Sequence, residues 1–130
     1  MMFLIDHNIE GQAVLLFNSI KAGGWLELLP IHFVMFSEAK LAINSTDRVV
    51  WKFAQENKMI LLTANRSMKG EDSLEQVIRE ETTPESLPVI TLGNLDRIGD
   101  RSYRDRCSDR LVEIVLDIDN LRGVSRIFIP

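Results

Sequence analysis

The chain has 130 residues, 45% of them hydrophobic and 26% charged, the proportions of one folded domain with room for a core. A formal charge of −4 argues against high-affinity, non-specific binding to RNA or DNA, but leaves a nuclease open, because metal-binding carboxylates themselves lower the pI. No apolar run approaches the ~20 residues that span a bilayer.

The start, Met1-Met2-Phe3-Leu4-Ile5-Asp6, meets an acid early and lacks the basic flank of a signal peptide. The single cysteine, Cys107, excludes an intramolecular disulfide and fits a reducing cytosol. The expectation is a cytoplasmic protein with no membrane partner and one domain over residues 1–130.

Phe3-Leu4-Ile5 reads as a short buried strand that stops at Asp6, with Asn8 as the cap of a following helix and Glu10 in its first turn. Ile9, Ala13, Leu16, Phe17 and Ile20 recur at helical spacing until Gly23-Gly24. Residues 31–36 form the second predicted strand. A cap around Asn44-Ser45 then starts a helix that carries Val49, Val50, Phe53 and Ala54 and ends near Asn57.

Met59-Ile60-Leu61-Leu62 is apolar throughout, the pattern of a strand covered on both faces. Beyond Thr63-Ala64-Asn65-Arg66, two overlapping capping boxes, Asp72 with Glu75 and Ser73 with Gln76, precede a helix with Leu74, Val77 and Ile78 on its stripe. Residues 88–92 read as the fourth strand. Tyr103, Cys107, Leu111, Ile114, Val115 and Ile118 keep one face of the last helix, which Gly123 ends before a fifth strand at 126–129. The basic cluster from Arg97 to Arg106 reads as a solvated helix face. This alternation predicts an α/β sandwich around a mostly parallel five-stranded sheet.

Ligands of such sheets bind outside the carboxyl ends of the strands. That edge collects Asp6, His7 and Asn8, then Thr63, Asn65 and Arg66, then Asn94 and Asp96, with Asp47 and Asp72 at helix starts. Carboxylates with neutral oxygen donors and no cysteine form a hard-ligand set suited to Mg²⁺ or Mn²⁺. Clustered acids repel, and a divalent ion removes that cost while polarising a phosphodiester. Each acid also has a plainer role: Asp47 and Asp72 suit helix starts, Asp96 suits a turn, and Thr63 and Asn65 can satisfy loop backbone groups.

Phe3-Leu4-Ile5-Asp6-His7-Asn8, Thr46-Asp47 at a helix start, and Leu61-Leu62-Thr63-Ala64-Asn65 after the third strand resemble the PIN-like domains. The nearest branch is that of short bacterial proteins related to virulence-associated toxin C-type ribonucleases. The resemblance implies a three-layer α/β/α sandwich with strand order 3-2-1-4-5 and a Mg²⁺- or Mn²⁺-dependent ribonuclease, the toxin of a toxin–antitoxin pair. It also implies an RNA substrate, an antitoxin partner and a homodimer.

Asp6 and Asp47 would be metal-binding and catalytic acids, with Asn8, Thr63, Asn65 and Arg66 contacting substrate. The chain departs from the family where two later acids fall on Asn65 and Ser67, a Phe on Met68 and a Glu on His7. Asp72 is then the replacement acid, as both metal ligand and catalytic group. Two alternatives stay open: a catalytically degenerate PIN-like scaffold that binds a protein or RNA, and a receiver-like domain, for which the paired acids are missing.

Overall fold

The computed structural model describes residues 1–66 and 70–130. Ser67 and Met68, where the family pattern puts an acid and a Phe, lie outside the described residues. Among those described, β1 (Met2–Ile5), β2 (His32–Val34), β3 (Met59–Thr63), β4 (Val89–Leu92) and β5 (Arg126–Ile129) form one all-parallel sheet. The helices are α1 (Glu10–Ala22), α2 (Phe36–Ala39), α3 (Asp47–Glu56), α4 (Leu74–Glu81) and α5 (Arg101–Leu116). No helix among the described residues is long and apolar enough to cross a membrane.

The strand order is 2-1-3-4-5, which corrects the expected 3-2-1-4-5. Burial explains the difference. All five residues of β3 are buried, so this strand gains most from a place between two neighbours with helices above and below. The three residues of β2 are exposed or half-buried, as suits an edge.

Strand alternation splits the core in two. Phe3, Ile5, Ile60, Leu62 and Ile90 pack with Leu16 and Ile20 of α1 and with Cys107 and Leu111 of α5. Leu4, Met59, Leu61 and Val89 face the other way, against Trp51 and Ala54 of α3 and Val77 and Ile78 of α4. The helices therefore cover both faces of the sheet.

Several local expectations shift. Asn8 does not cap α1; a 3-10 turn at His7–Ile9 intervenes, and the Asn8 side chain is exposed. The strand predicted over 31–36 is cut short because Glu38 Oε1 accepts the Met35 N–H at 3.2 Å and nucleates α2. Thr46, rather than Asn44 or Ser45, caps α3, its Oγ1 accepting the Val49 N–H at 3.3 Å. Consequently α3 buries Val50, Trp51 and Ala54, and Val49 faces solvent.

At α4 the cap is Ser73, whose Oγ accepts the Gln76 N–H, and Asp72 makes no cap. The last helix stops at Leu116, followed by a 3-10 turn at Ile118–Asn120. Gly123 lies beyond it at φ +83°, where a Cβ would come 3.2 Å from the Pro84 Cα and carbonyl oxygen.

Candidate active site

The register of β1 and β3 brings two polar residues to one place. Ile5 pairs with Leu62, and the next backbone bond runs from the Asp6 N–H to the Leu62 carbonyl at 3.0 Å. Asp6 and Thr63 thus follow paired strand residues whose side chains face α1 and α5. Alternation aims both toward α3 and α4. Thr63 is fully buried; its hydroxyl donates to Asp6 Oδ2 at 2.6 Å and accepts the Asn65 N–H at 2.9 Å.

Asp47 arrives from the start of α3, where the exposed backbone N–H groups favour a carboxylate. Asn65 Nδ2 donates to its Oδ2 at 3.0 Å. One short loop, from Thr63 to Asn65, therefore holds a carboxylate from β1 with a hydroxyl and a carboxylate from α3 with an amide. Asp6, Asp47, Thr63 and Asn65 line a single cavity of about 80 Å³, together with His7, Asn8 and Ser45. His7 Nδ1 lies 3.6 Å from Glu10 Oε1, and its ring packs beside Phe36.

The other expected residues go elsewhere. Asp72 does not line the cavity: its Oδ1 accepts from Arg48 Nε at 2.9 Å, on the solvent side of α3. Arg48 also reaches Glu80, Glu81 and the Glu71 carbonyl, and the three carboxylates, Asp72 first, push its pKa further up. Asp72 is thus a structural ion-pair partner. Asp96 is exposed in the 3-10 turn Leu95–Gly99 and lines no cavity with Asp6. The Asn94 N–H donates to the Tyr103 hydroxyl at 2.9 Å. Arg66 leaves the cavity, donates to the Gly93 carbonyl and lies 5.4 Å from the Phe128 ring centroid.

Sequence inspection misses Arg126. Its side chain is 9% exposed; Nη1 donates to the Asn65 carbonyl at 2.7 Å and to Thr91 Oγ1 at 2.8 Å, and Nη2 lies 3.2 Å from Glu75 Oε2. Burial pushes its pKa down, and the Glu75 carboxylate opposes that shift. The signal was an arginine in an otherwise apolar strand, Arg126-Ile127-Phe128-Ile129. Arg126 supports the Asn65 backbone from beneath.

The basic segment is partly structural: Arg104 donates to Ser19 Oγ and the Ile98 carbonyl, both at 2.9 Å.

Two carboxylates, a hydroxyl and an amide are hard oxygen donors, and Mg²⁺ is commonly held by one or two carboxylates, completing its shell with water and phosphate. The donor set fits such an ion. No group of three or more His, Cys, Asp or Glu suited to a metal occurs among the described residues, so water or substrate would fill the remaining positions. Comparison with protein-family models, curated proteins and solved structures finds no match for this chain.

Proposed function

We propose that the protein is a Mg²⁺- or Mn²⁺-dependent ribonuclease of PIN-like type. The observation that carries this reading is the meeting of Asp6 and Asp47 on one small cavity at the carboxyl edge between β1 and β3. In the 2-1-3-4-5 order this is where the connections diverge to opposite faces, the crevice that open α/β sheets use for ligands. Asp6 and Asp47 would hold the ion. Thr63 and Asn65 each engage one carboxylate oxygen, fixing the rotamer and leaving the second oxygen for a ligand. Bound there, the ion supplies Lewis-acid polarisation of a phosphodiester and offsets its charge.

A second reading has its own support. The Asn65 amide already gives Asp47 a neutral donor where a family acid would demand a cation, as in a scaffold that binds RNA or protein without cutting it.

The two separate by calorimetric titration of Mn²⁺ into the parent, Asp6→Asn and Asp47→Asn, alongside a cleavage assay on single-stranded RNA. Binding lost in both variants, with metal-dependent cleavage by the parent, is expected. A parent that binds no Mn²⁺ rejects the ribonuclease; one that binds Mn²⁺ and cuts nothing favours the scaffold.

A further inference from the structure

The register of the sheet continues the row that begins at the cavity. Thr63 pairs with Thr91, and Thr91 pairs with Phe128, so Asp6, Thr63, Thr91 and Phe128 lie side by side on the face that carries α3 and α4. At ~4.8 Å per strand the row is ~14 Å long. Its far end differs in kind from the buried middle. Phe128 is 50% exposed on an edge strand, whereas Thr63 and Thr91 are fully buried. An aromatic ring left half in water at the end of a polar row offers exposed apolar area to a flat partner.

Two guanidinium groups flank that ring, Arg66 at 5.4 Å and Arg126 at 5.9 Å from its centroid. They are not equivalent. Arg126 is buried and neutralised by Glu75. Arg66 is exposed and makes no ion pair among the described residues; its one hydrogen bond there is to the Gly93 carbonyl. In a chain of net charge −4, an arginine with no acidic partner among the described residues, beside an exposed aromatic ring, is a local exception to the overall balance.

We infer that Phe128 and Arg66 form a nucleotide subsite for single-stranded RNA, in which an unpaired base stacks on the Phe128 ring and Arg66 meets the adjoining phosphate. Stacking tolerates any base, because each has a π-face, and guanidinium–phosphate contacts position the strand without reading sequence. A duplex hides its base faces within the stack, so the subsite selects unpaired RNA. The row from Phe128 back to Asp6 is a length that a short stretch of extended single strand covers. The subsite rests on the ribonuclease proposal for its direction, since the strand would run from Phe128 toward the carboxylates. Arg126 acts through others here, joining the Phe128 ring to the Asn65 carbonyl and keeping the subsite in register with the cavity.

The test is fluorescence anisotropy of a short labelled single-stranded RNA, and of the same RNA annealed to its complement, measured in EDTA so that nothing is cut. The parent should bind the single strand and bind the duplex far more weakly. Phe128→Ala should weaken single-strand binding about tenfold, the loss of one base–aromatic stack. Arg66→Gln should weaken it as well and lower the slope of affinity against salt by about one. Phe128→Trp should keep the affinity, with indole emission quenched by RNA. Melting curves for each variant show that it is folded.

A parent that ignores single-stranded RNA, equal binding of duplex, or a folded Phe128→Ala as tight as the parent overturns the subsite. Metal plays no part in the measurement. Phe128-dependent binding by a protein that neither takes up Mn²⁺ nor cuts RNA overturns the ribonuclease proposal alone.

Discussion

The Asn65 side-chain amide donates to Oδ2 of Asp47 across 3.0 Å, so a neutral residue holds the acid at the start of α3. Asn65→Asp replaces that donor with a second carboxylate facing the first. Without metal the protein should lose about 1.5–3 kcal/mol, a charged hydrogen bond exchanged for like-charge repulsion. With Mn²⁺ the repulsion becomes affinity, and the rise in melting temperature should exceed that of the parent. Thermal melts of both proteins with and without Mn²⁺ check this; equal shifts would put position 65 outside contact with the ion.

Thr63 has no solvent contact and joins Asp6 to the Asn65 backbone through one hydroxyl. Thr63→Val keeps the shape and strands both partners, so urea unfolding should show a loss of about 1–3 kcal/mol. Thr63→Ser should recover most of it. In a double-mutant cycle with Asp6→Ala, which removes the acceptor, the two losses should be strongly non-additive, because they remove the same bond. Additive losses would mean that the 2.6 Å contact carries little energy.

Asp72 is 56% exposed and paired with Arg48, away from the cavity. Asp72→Asn should leave Mn²⁺ affinity where it is. The melting temperature should drop slightly at low ionic strength, and the drop should vanish in high salt, as exposed ion pairs are screened. Calorimetry decides the matter: weaker Mn²⁺ binding in this variant would return Asp72 to the metal site.

Cys107 lies in the core on the buried face of α5, and burial pushes its thiol up from 9.0 to about 11. Tyr103 beside it shifts the same way, chiefly through burial. Both groups are neutral when protonated, and the fold prefers that form. The thiol's contribution is complete below its unfolded value and is lost as pH rises from about 9 toward about 11. Chemical denaturation across that window should show falling stability in the parent and a flatter profile in Cys107→Ala. Alkylation of the native thiol at neutral pH should track unfolding, because the thiolate is the nucleophile.

Much of the fold is written in local pattern. The continuous run Met59-Ile60-Leu61-Leu62 and the spacing of Tyr103, Cys107, Leu111 and Ile114 identify a doubly covered strand and an amphipathic helix before any contact is known. Period and chemistry act over a few residues there. The same holds for Asp6 and Thr63, each placed at the edge by the end of an apolar run.

The misses are competitions between neighbours. Asn44, Ser45 and Thr46 all suit a cap, and only the path of the chain into α3 makes Thr46 the one that reaches the Val49 N–H. Asp72 and Ser73 compete in the same way before α4, and the nearby Arg48 draws Asp72 aside.

Sequence by itself determined the five strands, the four longer helices, their alternation, the parallel sheet and the two residues, Asp6 and Thr63, at the ends of its central strands, because those follow from periodicity and from where apolar runs stop. Tertiary structure alone decided that β2 lies outside β1 and not between β1 and a third strand, since that depends on which strand gains most from full cover. It alone joined Asn65 to Asp47, Arg48 to Asp72, and Arg126 to the Asn65 carbonyl. Those bonds link residues far apart in the chain, and no local spacing encodes a distance that exists only after the sheet has closed on its helices.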